Sequence, residues 1–257
     1  MSALISGFGR GKTTGAILVG TVCIAASGAF ADGSVPGEAP QFQMYFDMTG
    51  DGVGMQQYDH LSNADELTGG DWRFTGSTAS TALDFSWDVT VNPDPFVDAA
   101  VSVTNNTGAT QTFTTFMVLN ISETFTTGTA INGSVAATLT NNDFFGGSAT
   151  LGAAPGRSVF GGFLDTTDIF NDAPDRTLWE DPFSLDAVGG LAQANDDTFF
   201  APEAGGPALT NIGILLEFTL SPGDSATVSG LFNVTPVPGG LAAFAVFGLL
   251  GGRRRRS

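Results

Sequence analysis

Acidic side chains dominate the chemistry available to this sequence, which has 26 Asp and Glu residues but only one histidine. That histidine, His60, follows Asp59, yet a serine hydrolase also needs a placed nucleophile. No Gly-x-Ser-x-Gly motif occurs, since residues 146–150 end in threonine instead of glycine. A zinc site of the usual composition needs several histidines or cysteines, and the chain has one of each. These residues predict a protein that is not an enzyme.

Paired carboxylates are the one catalytic device that the composition permits. Two acids a few ångströms apart can hydrolyse a glycosidic bond, and β-sandwiches carry such enzymes. In a chain with so many acids some pair always looks suggestive, and Trp179-Glu180-Asp181 is a weak signal by itself. A glycoside hydrolase is therefore the third functional hypothesis.

One acidic segment resembles the start of a calcium-binding loop. Asp47, Thr49 and Asp51 supply oxygen donors at positions one, three and five, and Gly52 follows at position six, as in an EF-hand loop. Position twelve is Tyr58 instead of the bidentate glutamate. Calcium bound by these three residues is one interpretation, and a glycine-rich turn after a strand is the other. No further cofactor is predicted.

Trp179 is the candidate for binding a sugar by stacking. It lies in an irregular acidic stretch, residues 163–204, whereas Trp87 falls in the apolar phase of a strand and belongs in the core. With the calcium motif, Trp179 defines the second functional hypothesis, a carbohydrate-binding or calcium-binding module.

The elements that must position these residues are strands. Apolar and polar residues alternate over residues 83–91 and 97–103, and a turn rich in Asn and Gly then leads to a strand at 110–121. This pattern predicts three consecutive antiparallel strands. Residues 212–220 and 226–234 alternate in the same way around Ser221-Pro-Gly-Asp224 and predict a second hairpin.

Weaker strand signals cover residues 41–47, 71–76, 131–139 and 158–164. Residues 163–204 are predicted to be a long loop, and a helix at 185–194 is only an alternative, because Gly189 and Gly190 interrupt it. The spacing of the strands predicts an all-β protein, an antiparallel β-sandwich of jelly-roll or immunoglobulin-like type over residues 32–235.

The first 31 residues predict a secretory signal peptide. Two basic residues precede an uncharged apolar run at 15–26, which is the order of a signal's charged and apolar regions. Ala29 and Ala31 then form a small-x-small site. Signal peptidase is therefore expected to cut after Ala31.

Residues 236–257 predict a second sorting segment. Pro236 and Pro238 precede an apolar stretch at 239–252, which as a helix would span roughly 21 Å and fall short of the roughly 30 Å hydrocarbon core. Four basic residues follow it: Arg253, Arg254, Arg255 and Arg256. This cluster should stay on the cytoplasmic side, so the segment is a short transmembrane helix that holds the domain outside.

These last residues resemble the C-terminal sorting domain of the bacterial PEP-CTERM proteins, which combine a proline motif, a short membrane segment and an arginine cluster. Pro236-Val-Pro238 stands where the family has Pro-Glu-Pro. The resemblance implies a Gram-negative host and an exosortase that cleaves near the motif. It also implies an inner-membrane intermediate that is released to the cell surface or the extracellular polymeric matrix.

The charge of residues 32–235 limits the partners of the domain. Three arginines accompany all 26 acids there, which gives a formal net charge of −23. A domain with this charge repels nucleic acid, and it binds anionic polysaccharide only when divalent cations screen the charges. The sequence thus predicts an exported, non-enzymatic protein of the cell surface or matrix, with extracellular polysaccharide as a possible partner.

Overall fold

The structure, a computed structural model, consists of strands throughout the part of the chain that it describes. The described residues are 39–49, 53–58, 64–126, 128–143, 147–167, 172–189 and 192–236. They form fifteen strands and no helix, and thus contain no helix that could span a membrane. In chain order the strands are β1 Phe42–Thr49, β2 Val53–Tyr58, β3 Ala64–Glu66, β4 Trp72–Ala79, β5 Leu83–Asn92, β6 Phe96–Asn105, β7 Gln111–Asn120, β8 Thr129–Thr140, β9 Ser148–Gly152, β10 Ser158–Leu164, β11 Arg176–Glu180, β12 Ser184–Val188, β13 Ala192–Gly205, β14 Asn211–Leu220 and β15 Ser225–Pro236.

The strands form two antiparallel sheets that pack against each other. Sheet I has eight strands, in the order β11-β10-β14-β7-β1-β2, with β9 paired to β14 and β12 paired to β9. Sheet II has seven strands, in the order β13-β8-β15-β6-β5-β4-β3. The prediction of an all-β sandwich is confirmed, and strands lie where the weaker signals at 41–47, 71–76, 131–139 and 158–164 predicted them.

Aromatic rings from both sheets meet in the core between them. Phe46 of sheet I stacks on Phe85 of sheet II with ring centroids 4.0 Å apart, and Phe42 stacks on Phe74 at 4.9 Å. Such pairs contribute about 0.5–1.5 kcal/mol each beyond the area that they bury. They fix how the first strands of the two sheets lie on each other.

Glycines make room for rings in another part of the core. A Cβ atom on Gly162 of β10 would lie 2.7 Å from the Phe232 ring of β15. A Cβ atom on Gly230 of β15 would likewise lie 3.1 Å from the Phe160 ring of β10. Each sheet thus sets a glycine opposite a phenylalanine of the other sheet, which allows close packing without strain.

The three predicted consecutive strands exist, but they do not form one sheet. β5 and β6 pair in sheet II along their whole length, whereas β7 crosses to sheet I and lies between β1 and β14. The alternating pattern requires only that one side of each strand be buried, and either sheet satisfies it.

The predicted second hairpin is wrong for the same reason. β14 lies in sheet I and β15 in sheet II, so the turn at 221–224 joins the two sheets instead of two paired strands. Asp224 fixes this turn, because its carboxylate accepts hydrogen bonds from the Ser221 hydroxyl at 2.6 Å and from the Asn142 amide at 3.1 Å.

The predicted loop at 163–204 contains three strands, and the alternative helix at 185–194 is not formed. β11 extends sheet I beside β10, and β12 pairs with β9. β13 runs beside β8 from Ala192 to Gly205 and forms an edge of sheet II. Pairing with a neighbouring strand overrides the weak local preference of this acidic, glycine-containing segment.

Candidate functional site

The outward surfaces of the two sheets differ in chemistry. On sheet II, side chains in one row across five strands carry only hydroxyl groups and are half-buried or exposed: Ser77, Ser86, Ser102, Thr227 and Thr138. This is the usual composition of a solvated sheet surface. The outward surface of sheet I instead carries large apolar residues, which directs attention to that sheet.

A second apolar cluster lies on the outward side of sheet I, separate from the core. Tyr45, Phe116 and Leu215 are direct neighbours on three strands, and Phe163 packs edge-on against Phe116 with centroids 5.4 Å apart. Phe116 and Phe163 are only 1% and 2% exposed. Burial also raises the pKa of Tyr45, whose hydroxyl donates to the side chain of Gln43.

A cavity of about 440 Å³ opens beside this apolar cluster, and we call it the sheet I cleft. Its lining is part apolar and part polar. The apolar part consists of Phe163, Ala173, Pro174 and Leu215, and the polar and charged side chains are those of Arg157, Ser158, Asp172, Thr177, Glu180 and Asp181. A concave site with an apolar lining and a few polar groups is the usual form of a small-ligand site.

Two of the three acidic residues of the cleft, Glu180 and Asp181, are held by the end of the β10–β11 pair. Glu180 is opposite Ser158 in the register, and its carboxylate accepts a 2.5 Å hydrogen bond from the Thr177 hydroxyl. Asp181 is bonded to the neighbouring turn twice: its amide donates to the Arg157 carbonyl, and its carboxylate accepts from the Gly156 amide at 3.0 Å. Strand pairing thus places the two residues, and these hydrogen bonds orient their carboxylates.

Trp179 lies next to the cleft but is not among its lining residues. Its indole stacks on Phe183 with centroids 4.4 Å apart and rings 3° from parallel, and the residue is only 8% exposed. A positive φ of 55° turns its backbone at this point. The ring therefore supports the β11–β12 turn, and its position offers little open surface for a sugar.

The charged neighbour behind the cleft is Glu217 of β14. Its side chain is 12% exposed, and burial raises its pKa, while the nearby Arg157 guanidinium opposes that shift in pKa. The Nε atom of Arg157 lies 3.8 Å from the Glu217 carboxylate. The guanidinium group of Arg157 therefore already has the Glu217 carboxylate as a neighbour.

Asp47 of the predicted calcium loop lies on the same outward surface. Both Asp47 and Glu217 are paired with Thr114, so the three residues form one row across β1, β7 and β14. Burial raises the pKa of Asp47 as well, and a hydrogen bond from the Met48 amide opposes this. Thr49 ends β1, and Asp51 lies outside the described residues.

The two parts of the predicted binding module do not come together. Asp47 is on β1 and Trp179 is on β11, with three strands of sheet I between them. Four strand spacings amount to roughly 19 Å, so one small ligand cannot contact both residues. Among the described residues, no group of three or more Asp, Glu, His or Cys side chains could hold a metal ion.

The predicted sorting residues lie almost wholly beyond the described parts of the chain. Pro236 is the last residue of β15 and is paired with Thr129. Ala29, Ala31, Pro238, the arginine cluster at 253–256 and His60 are outside the described residues.

Sequence reasoning missed most of the sheet I cleft. Glu180 and Asp181 were noticed only as an acid pair, and the segment carrying them was predicted to be a loop. Arg157 had the better signal, because it is one of three cations among residues 32–235.

Comparisons of the sequence with protein families and curated proteins add no likeness from which a role could be transferred. No protein-family model matches the chain, and no curated protein matches its sequence. The sheet I cleft is thus defined by its geometry and composition.

Proposed function

We propose that this chain is an exported, non-enzymatic protein of a Gram-negative cell surface or extracellular matrix. In this proposal signal peptidase removes residues 1–31, and the segment at 236–257 holds the protein in the inner membrane. An exosortase-like enzyme then cleaves near Pro236-Val-Pro238 and releases the β-sandwich domain from the membrane.

The observation that carries the proposal is the layout of the C-terminus. A proline motif, a short apolar stretch and four arginines follow one another without a gap. The sheet structure is compatible with it, since β15 pairs on both sides with β6 and β8 and lies before the proposed cleavage point. Cleavage after Pro236 would remove the membrane segment and leave all fifteen strands intact.

The test is the intact mass of the protein recovered from the envelope and the medium of its native host. We expect a product that begins at Asp32 and ends near Pro236. A matched variant in which Arg253 to Arg256 are replaced by serine should escape cleavage and keep its C-terminus. A wild-type product that retains the arginine cluster would overturn the sorting proposal.

A carbohydrate-binding module is the second candidate, and the sheet I cleft is the observation that favours it. The cleft combines apolar side chains with hydroxyl, carboxylate and guanidinium groups, which suits the two kinds of surface on a sugar ring. Calcium at the Asp47 motif and a jelly-roll or immunoglobulin-like topology remain predictions.

A further inference from the structure

The sheet I cleft places acceptors for hydrogen bonds from a cation beside an apolar surface. Glu180 and Asp181 project from one tight turn, and each carboxylate accepts a single hydrogen bond from the Thr177 hydroxyl or the Gly156 amide. A carboxylate has about four acceptor positions, so each one has capacity for a ligand. Leu215 and Pro174, both half-buried, supply the apolar surface.

The charge of the site favours a cationic ligand. Arg157 is the one basic residue among those lining the cleft, and Glu217 lies 3.8 Å from its guanidinium. The carboxylates that line the cleft therefore outnumber its one guanidinium group. This holds before the charge of the rest of the domain is counted. The net charge of −23 on residues 32–235 adds a field that attracts polycations.

We propose that the sheet I cleft binds an amino sugar of a cationic polysaccharide, with the ammonium group between Glu180 and Asp181. The apolar side of the sugar ring rests on the half-buried Leu215 and Pro174, and its hydroxyl groups meet Arg157 and Thr177. This inference rests on the proposed function and names the polymer that the exported body recognises.

A basic peptide fits the same groups less well. A lysine side chain has one polar tip, so it would satisfy the carboxylates and leave the hydroxyl of Thr177 and the guanidinium of Arg157 without contacts to that side chain. A sugar ring carries hydroxyl groups around its edge and can reach several of these groups together. A neutral sugar, in turn, would leave Glu180 and Asp181 without a positive partner.

The test measures binding of a glucosamine tetramer to the full-length chain by calorimetry, with the N-acetylglucosamine tetramer and tetralysine as comparison ligands. Amide chemical shifts of Gly156, Ser158 and Thr177 report whether the ligand occupies the cleft. We expect the glucosamine tetramer to bind and to shift these amides. The acetylated tetramer should bind at least about tenfold more weakly, because it has lost the charge-assisted hydrogen bonds.

The matched variants separate the site from the general charge of the molecule. The double variant E180Q/D181N keeps side-chain size and should weaken binding by about tenfold or more. D196N/D197N removes the same two charges from exposed positions on β13 of sheet II and should leave the affinity within about twofold. Circular dichroism and the thermal midpoint of both variants verify that the fold is intact.

Several outcomes would overturn the proposal. Equal binding of the acetylated tetramer would mean that the ammonium group is not recognised, and equal binding of tetralysine would identify a basic peptide as the occupant. Equal loss in both double variants would indicate diffuse electrostatic attraction. The mass measurement is independent, so a correctly processed body that does not bind glucosamine overturns this inference and leaves the proposed function standing.

Discussion

At the scale of single residues, the hydroxyl of Thr115 is an unusual feature of the core. Thr115 is 1% exposed, lies between Phe46 and Leu216 in the register of sheet I, and its Oγ1 has no hydrogen-bond partner. Burying a hydroxyl without a partner costs about 1–3 kcal/mol. The position is therefore a source of instability within an otherwise apolar layer.

We predict that Thr115→Val stabilises the protein. Valine keeps the branched shape of threonine. It removes the hydroxyl group, which on folding loses its hydrogen bonds to water and gains no partner, so the free energy of unfolding should rise by about 1 kcal/mol. Urea denaturation followed by circular dichroism measures it. Thr114→Val is the matched control, because the neighbouring side chain points outward and is half-buried, and it should change stability by less than about 0.5 kcal/mol. A loss of stability in Thr115→Val would contradict the prediction.

At the scale of elements, the connections at one end of the sandwich decide which sheet each strand joins. Asn105 ends β6 and is 0% exposed. Its side-chain amide donates to the carbonyls of Ala109, Leu220 and Ser221 at 2.9–3.2 Å, and its oxygen accepts from the amide and hydroxyl of Thr107. One buried side chain thus ties the β6–β7 connection to the β14–β15 turn.

Loss of the Asn105 side chain should therefore destabilise the two connections that run from one sheet to the other, β6–β7 and β14–β15. We expect Asn105→Ala to lower the free energy of unfolding by about 2–4 kcal/mol, because it leaves buried backbone groups without partners. Asn106→Ala is the control, since the exposed neighbour makes one 3.3 Å bond to Asp84 and should cost less than about 0.5 kcal/mol. Denaturant unfolding compares the two variants, and equal stabilities would refute the role of Asn105.

At the scale of the whole molecule, the excess of acids makes stability depend on pH. Burial raises the pKa of the half-buried Asp47 and Glu217. The pKa of Asp98 is raised too, with the nearby Asp88 adding to the effect, but Asp98 is exposed and solvent screens its charge. Asp88 is the opposite case, because its hydrogen bonds from Arg73 lower its pKa. The two half-buried carboxyl groups therefore favour the protonated folded state, whereas Asp88 favours the ionised state at an exposed position, where the effect on stability is smaller.

We predict that the protein is more stable in mild acid than at neutral pH. A carboxyl group with a raised folded pKa destabilises the fold when ionised, so stability increases as the pH falls through that pKa and is fully regained below the unfolded pKa. The contribution of Asp88 is lost only at still lower pH, as the pH falls through its lowered pKa. Chemical denaturation at about pH 7 and about pH 5 should give the larger free energy of unfolding at the lower pH.

Glu217→Gln isolates the most enclosed of these groups. It should raise stability at neutral pH and reduce the difference between the two pH values, while the weak pair with the 58% exposed Arg157 side chain is lost at little cost. Glu66→Gln, at an exposed position on β3, is the control and should leave the pH dependence as it is. An unchanged pH dependence in Glu217→Gln would show that its burial is not what drives the effect.

The amino-acid sequence by itself determined where most strands lie and which side of each one is buried. The alternation of residues 83–91 or 212–220 encodes this locally, because successive side chains of a strand point to opposite sides. The charge of residues 32–235 is likewise fixed by composition, whereas the sorting role of the two ends stays a prediction.

The tertiary structure alone decided which strands become neighbours. β6 and β7, and β14 and β15, carry patterns that suit a hairpin as well as a crossing between sheets, and the choice depends on contacts such as those of Asn105 with residues more than a hundred positions away. The sheet I cleft has the same origin, since it joins Arg157, Glu180 and Leu215 from three strands or their ends. Pairing between strands is a long-range interaction, and no local pattern specifies the partner.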